Sequence, residues 1–302
     1  MEPCLGTVQF GMDYGIFDTP KKSPDYCVLC LDYATQNGIN AIDTATAYGM
    51  AEEIVGKFLA KRTVARDHLF ISTKLKPNVL DDVPETRYAD VIQENLESSL
   101  RMLHTEYVDA YFLHSSRYAF QPEILEALNT VKTRGLARHV GVSVYYPDEA
   151  EACFNSNFVD YIQAPYSIFD HRMKEKQILA ASKIATGAVN IDTRTVFIKG
   201  LIRLKIHEVP PHLARAIPVL EKLDEFVEKT GYSRIDLAIG YVKREKNIKH
   251  LVFGIRDLEQ LQEDIASFRK EIPEEVFKQI DEQFADIDAN LVIPSLWVKK
   301  ES

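Results

Sequence analysis

Four side chains able to move a proton lie at or just beyond the ends of successive apolar segments. Asp43 and Tyr48 belong to "AIDTATAYG", Lys74 closes "LFISTK" and His114 closes "YVDAYFLH". A phenol with an ordinary pKa of ~10 donates a proton poorly near neutrality unless its anion is stabilised. A neighbouring ammonium gives that stabilisation, because opposite charge favours the phenolate. Lys74 must itself stay charged in a partly desolvated place, which a carboxylate such as Asp43 supports. His114 can then orient a carbonyl oxygen toward Tyr48. The set protonates an oxygen while hydride arrives at the adjacent carbon. Singly, each residue has a plainer role: Asp43 as a cap, Lys74 solvated, His114 structural, and Tyr48 a packed aromatic, one of the chain's 14 tyrosines. Their order on consecutive strand ends points to one site.

The elements that must position them alternate along the chain. Strands are expected at 5–10, 41–44, 69–74, 107–114, 139–144, 161–164, 195–198 and 250–255, several as continuous apolar runs of the kind buried on both faces of a parallel sheet. Helices are expected at 25–36, 51–61, 87–103, 122–134, 148–155, 172–186, 213–229, 234–245 and 258–270, with a further helix at 274–286. Eight β-then-α units make a closed barrel or a large open sheet, and in a barrel the reacting groups sit at the C-terminal strand ends. No G-x-G-x-x-G follows a strand, so a Rossmann turn is not expected. Without a Gly-, Pro- or Ser-rich linker, residues 1–302 read as one domain.

Composition narrows the class. The net charge of −9 argues against nucleic acid as a partner, and weakly against anionic membrane. No run approaches the ~18–20 apolar residues of a membrane span, and the N-terminus lacks a signal-peptide pattern. Four cysteines do not make a disulfide framework, so a cytoplasmic location is expected. Cys27 and Cys30 form a C-x-x-C inside a helical pattern, where core packing is favoured over redox or zinc chemistry.

The run "AIDTATAYGMAEEIVGKFL" resembles the Asp-Thr-Ala…Tyr-Gly segment of the aldo-keto reductase superfamily. "LFISTKL" is similar to its lysine strand and "YVDAYFLHSS" to its histidine strand, and "RGLARHVGVSVY", "DYIQAPYSIFDHR" and "HLVFGIRDLEQLQEDI" extend the likeness over nearly the whole chain. The resemblance implies an α/β fold, a single-domain (β/α)8 TIM barrel with an extra C-terminal helix and tail. It implies Asp43, Tyr48, Lys74 and His114 as the catalytic four, and a nicotinamide cofactor, NADPH with NADH as an alternative. By position, Gly6 and Thr7 lie near that cofactor, Ser143 and Gln163 hold its carboxamide, and Arg194, Thr195, Phe197, Lys199 and Gly200 form the loop around it. Gly254, Arg256, Gln260, Glu263 and Asp264 take the adenosine end. The start of that helix also offers free backbone N–H groups to an anion, and Arg256 can pair with a 2′-phosphate.

The chain departs from the family pattern in four places. Val144 stands where Asn is usual, leaving the carboxamide to Ser143 and Gln163. Arg194 replaces the aromatic that stacks on the nicotinamide, and a cation there disfavours the oxidised cofactor unless it faces away and pairs with Asp192. Asp257 and Asp264 add negative charge near Arg256. The hairpin that plugs the barrel floor is shortened to residues 1–4, with the 291–297 tail a candidate replacement. Substrate contacts are expected from Phe10, Met12, Asp13, Tyr14 and Phe17, from Arg117 and Tyr118, and from Trp297, for a polar or sugar-like carbonyl. The oligomeric expectation is a monomer or weak homo-oligomer. Two alternatives stand beside this reading. One is a non-catalytic nicotinamide-binding regulatory subunit of the potassium-channel β type. The other is a barrel using Lys74 as a Schiff base.

Overall fold

Short, mostly apolar segments pair side by side into a closed parallel barrel in a computed structural model that describes residues 1–17 and 20–297. The strands are β1 (Glu2–Gly6), β2 (Ala41–Asp43), β3 (Phe70–Leu75), β4 (Val108–Leu113), β5 (Ala137–Ser143), β6 (Tyr161–Pro165), β7 (Asn190–Arg194) and β8 (Ile248–Gly254). Each pairs with its chain neighbour, and β8 closes on β1 from Glu2↔His250 to Gly6↔Gly254. Helices cover the outside. Helix Pro24–Gln36 starts where Ser23 Oγ accepts from Tyr26 N at 3.2 Å ahead of a first-turn proline, the N-terminal chemistry that satisfies orphan donors. Helix Ile217–Thr230 stops at Gly231, which takes the left-handed conformation at φ 75°. The added helix Glu274–Gln283 is tied down by Asp281, which accepts from Lys174, Tyr241 and Arg244.

Three expected elements differ. β7 is Asn190–Arg194, not 195–198: "NIDTR" looks too polar for a strand because Asp192 points inward to His250 Nδ1 at 2.7 Å. The β-prone "TVFI" instead curls over the barrel mouth, with positive φ at Thr195 and Ile198. β1 ends at Gly6, and Val8–Gly11 is a helical turn. The long helix expected at 172–186 breaks into Arg172–Glu175, a 3-10 turn at Ile178–Ala180 and Ser182–Ala185, with Gln177 at φ 56°.

The floor is filled by rings rather than by the tail. Phe70, His139, Tyr161 and His250 come from the N-terminal ends of four strands, with Phe70 and His250 centroids 4.4 Å apart and Tyr161 stacked 6.4 Å from His250. Ala289–Val292 packs instead against Pro211–Ala216, in the connection after β7, and Trp297 Nε1 donates to Leu291 O. The tail beyond 297 lies outside the described residues.

At the opposite end, Gly11 lies against the turn that carries Tyr48. A Cβ at residue 11 would stand 2.5 Å from Ala51 N and 2.8 Å from Met50 N, and closer still to the Tyr48 carbonyl. Because these are backbone atoms, the turn would have to move. Gly11→Ala is expected to cost about 1–3 kcal/mol, as overpacking does, and chemical denaturation should show the loss.

Candidate active site

The barrel brings Asp43, Tyr48, Lys74 and His114 to one mouth, the end where β2, β3 and β4 finish. Lys74 and Asp43 are 1% and 3% exposed, so their ion pair is buried. Lys74 Nζ donates to both Asp43 carboxylate oxygens at 2.6 Å and to Thr44 O at 3.0 Å. Ser72 Oγ and Gln163 Nε2 each donate to Asp43 Oδ1 at 2.9 Å. The Lys74 ammonium lies 5.2 Å from the Tyr48 ring centroid, and the Tyr48 and His114 rings meet edge-on at 5.8 Å.

Burial would strip the proton from Lys74, but Asp43 more than offsets this and the ammonium is held above the ordinary lysine range. Burial pushes the Tyr48 phenol up, with Lys74 pulling back against it. The lysine therefore limits the rise without producing a net fall in this state. Burial, then the charges of Lys74 and Arg194, push His114 down to about 3, so its imidazole is neutral. A protonated phenol and a neutral imidazole thus flank one point, with a charged ammonium behind the phenol.

These groups open into a cavity of about 520 Å³. Gly6, Ser143 and Gln163 line its inner end, and Thr195, Phe197, Lys199 and Gly200 line the wall that follows β7. Gly254, Arg256 and Gln260 line the far end. Arg194 faces the cavity: its Nη1 donates to Thr195 Oγ1 at 3.0 Å, its Nη2 to Val144 O at 2.9 Å, and its guanidinium lies 4.3 Å from the Tyr145 ring centroid. Asp192 is occupied by His250 instead. Tyr14 and Phe17 also line the cavity.

Other residues lie elsewhere. Thr7 is buried, its hydroxyl and N–H both donating to Asp43 O, so it fixes β1 to β2 rather than lining the cavity. Glu263 and Asp264 do not line it either, because both are gripped by Arg203. Phe10 is a core residue. Arg117 is drawn to Asp81 and Asn78, with Tyr118 Oη also donating to Asp81, which takes both residues out of the cavity. Met12, Asp13 and Trp297 are not among its walls. The helix start at Leu258–Arg269 is already capped: Asp257 Oδ1 accepts from Gln260 N, Gln260 Oε1 from Arg256 N and Tyr26 Oη from Leu258 N. Three of the expected N–H groups are thus taken, and the Arg256 side chain adds a cation there.

Tyr145, Arg203, Lys205 and Gln9 line the cavity without having been singled out from the sequence. Tyr145 could have been found by counting on from Ser143, but Arg203 sits in the weakly patterned "GLIRLKIHE", with partners 60 residues away. Cys27 and Cys30 are buried free thiols, pushed up by burial to about 11 and about 12. No cluster of metal-ligating side chains occurs among the described residues, and no helix among them is long and apolar enough to cross a membrane.

The sequence model of the "Aldo/keto reductase family" matches residues 4–284. An uncharacterised oxidoreductase of Bacillus subtilis, YrpG, is 26% identical over 93% of this chain and 91% of its own length. The NADH-specific methylglyoxal reductase of Escherichia coli is 26% identical over 79% of this chain and 82% of its own length. The structure of an aldo-keto reductase from Bacillus halodurans, in its holo form, superposes with a TM-score of 0.76 at 22% identity, covering 97% of this chain and 95% of that one. With a family match over nearly its whole length and a closed eight-stranded α/β barrel beneath it, the chain belongs to the aldo/keto reductase family.

Proposed function

We propose that this protein reduces an aldehyde or ketone to the alcohol, with NADPH as the favoured reductant, NADH as the alternative and Tyr48 as the proton donor. The observation that carries the reading is the buried Lys74–Asp43 pair behind a protonated phenol and opposite a neutral imidazole. The donor set suits a dinucleotide, with Ser143 and Gln163 able to meet an amide at the inner end and Lys199 and Arg256 able to meet phosphates farther out. When bound, the reduced nicotinamide supplies hydride to the carbonyl carbon. Tyr48 gives its phenolic proton to the carbonyl oxygen, and Lys74 stabilises the phenolate that remains. Asp43 keeps Lys74 charged, with Ser72 and Gln163 holding the carboxylate in place. His114, neutral, donates an N–H to the same oxygen and fixes its direction. Support for a small polar carbonyl comes from the mixed lining of Tyr14, Tyr145 and Arg194, and from the name of the Escherichia coli relative.

Cofactor preference turns on Arg256, 52% exposed and shared with Asp257 at 3.1 Å. Glu263, the other nearby carboxylate, is engaged by Arg203. Fluorescence titration should show NADPH binding more tightly than NADH, and Arg256→Ala should narrow the gap by about tenfold, or ~1.4 kcal/mol.

Tyr48→Phe should lower turnover by about 10²–10⁴-fold, the usual worth of a positioned proton donor, while NADPH affinity stays essentially unchanged. Lys74→Met should behave alike. Stopped-flow rates beside the titration separate the two effects, and wild-type turnover in Tyr48→Phe would refute the assignment.

The pH profile carries a sign. His114 is uncharged at every pH well above 3, and reduction needs the protonated form of a phenol whose pKa is raised. The reduction rate should therefore be flat from mildly acidic to mildly alkaline pH, falling only as the phenol ionises. An inflection near 6.5 in the wild type that vanishes in His114→Gln would contradict this.

A further inference from the structure

The turn that carries Tyr48 is tied to β3 at both ends. At the near end Thr46 Oγ1 donates to Lys74 O at 2.9 Å. At the far end Thr73 Oγ1 donates at 2.6 Å to Oε1 of Glu52, in the first turn of helix Ala51–Ala60. Thr73 and Lys74 are consecutive on β3, where successive side chains face opposite sides. Lys74 therefore reaches inward to Asp43 while Thr73 reaches outward to Glu52. Between the two ties the backbone closes on itself, with Tyr48 N donating to Ala45 O at 2.9 Å and Ala51 N to Tyr48 O at 3.1 Å. Ser99, from helix Tyr88–Leu103, joins the ends: its Oγ lies 3.3 Å from Thr46 Oγ1 and hydrogen bonds to Glu52.

Glu52 is 6% exposed and is held by two hydroxyls rather than by a cation. Burial pushes its carboxyl above the ordinary range, with the bonds from Thr73 and Ser99 and the charge of Lys74 pulling back against it. The Tyr111 hydroxyl, on the residue that pairs with Thr73 in register, is buried without a hydrogen-bond partner, and burial and then the Glu52 charge push that phenol up. A carboxyl raised by folding gives full stability below its unfolded pKa and loses it as pH rises through the folded one. Ionised Glu52 is therefore carried at a cost. Apolar groups of the same shape in place of both partners of such a bond are often neutral for stability. What the bond contributes is direction.

We infer that Glu52 is a positioning residue for proton transfer: with Thr73 it fixes the far end of the turn, as Thr46 fixes the near end, and so holds the Tyr48 phenol in place beside Lys74. This rests on the assignment of Tyr48 as proton donor above and adds the group that sets the donor's position. Only a short stretch of chain separates Tyr48 from either tie, and its ring centroid lies 5.2 Å from the Lys74 ammonium. Release at Glu52 lets the phenol drift from the charge that stabilises its anion. A misplacement of about 1 Å can cost about 10²-fold in rate. Glu52 and Thr73 are not among the cavity walls, so release leaves the binding surfaces themselves unaltered.

The test measures reduction of an activated aldehyde, 4-nitrobenzaldehyde, by three variants. Glu52→Ala should lower kcat and kcat/KM alike by at least about tenfold, with NADPH affinity by fluorescence titration unchanged. Glu52→Gln, whose amide oxygen still accepts from Thr73, should restore turnover to within about threefold of wild type. It should melt no lower, since the costly charge is gone. Thr73→Val, close to threonine in shape, should show most of the loss seen in Glu52→Ala. The double variant should lose no more than Glu52→Ala alone, because the pair acts as one. Hydrogen exchange reads the turn without turnover: amides of residues 44–52 should exchange at least about tenfold faster in Glu52→Ala than in wild type or Glu52→Gln, with β4 and β5 unchanged. If Glu52→Ala and Thr73→Val turn over as the wild type does while Tyr48→Phe is inert, the anchor is overturned and the reductase reading stands. Faster exchange throughout the barrel, with Glu52→Gln as slow in turnover as Glu52→Ala, also overturns it. If neither this aldehyde nor any other carbonyl is reduced, yet the turn alone loosens in Glu52→Ala and stays tight in Glu52→Gln, the reductase reading fails and the anchoring of the turn stands.

Discussion

Placing an ammonium inside a barrel is costly: removing each ion from water leaves a penalty of several kcal/mol unless pairing and hydrogen bonds offset it. Lys74 meets that constraint with partners from several strands. Asp43 comes from β2, Ser72 and Lys74 itself from β3, and Gln163 from β6 across the mouth. Thr7, after β1, fastens the backbone of Asp43 from the other side. The pair therefore exists only if β1, β2 and β3 hold the registers Gly6↔Asp43 and Asp43↔Ser72, and if the barrel closes far enough to bring in β6. Closure and charge burial are one requirement. Tyr48 inherits its position from it, because the turn that carries it begins at Asp43 and is braced by Gly11.

The wall of the cavity is built differently. Between β7 and the next helix the backbone takes positive φ at Thr195, Ile198, Lys199 and Gly200. Two of these are β-branched, for which the left-handed region is sterically unfavourable. Local bonds hold the turns, with Ile198 N donating to Thr195 O at 2.8 Å and Gly200 N to Phe197 O at 2.9 Å. The result aims Thr195, Phe197, Lys199 and Gly200 along one side of the cavity. Backbone strain is concentrated where the site is made, a common place for it.

That division explains what could be read from the residues alone. Lys74 and His114 were legible because each interrupts or ends an apolar run, and a polar group at a parallel strand end is conspicuous. β7 was not, since its inward Asp192 is balanced by His250, 58 residues later, and no local pattern reveals a cross-strand partner. The same reason removes Arg117 from the substrate: Asp81, 36 residues upstream, claims it. Arg203 escaped notice while its partners, Glu263 and Asp264, were read as ligand contacts. The carboxylates were noticed and their cation was not, because only the fold shows that they meet. Sequence spacing reports what a residue can do, and long-range pairing decides which residues are left to do it.

Net charge is a poor guide to the mouth of this barrel for the same reason. The chain carries −9 overall, yet the cavity is lined by five Lys and Arg side chains and only two carboxylates, Asp43 and Glu208. What an entering molecule meets is smaller again, since Arg203 and Arg256 are shared with acids and Asp43 is spent on Lys74. Near the phenol the field is set by the Lys74–Asp43 pair and, beyond it, by Arg194, in a partly desolvated pocket where charges act more strongly than in water. The long-range field of an acidic protein repels anions only weakly, because ionic strength screens it over about 10 Å, so the charges lining the cavity itself set what a molecule meets at the mouth. The arrangement of Val144, Tyr145 and Arg194 thus holds a fixed positive charge inside a molecule of opposite net charge.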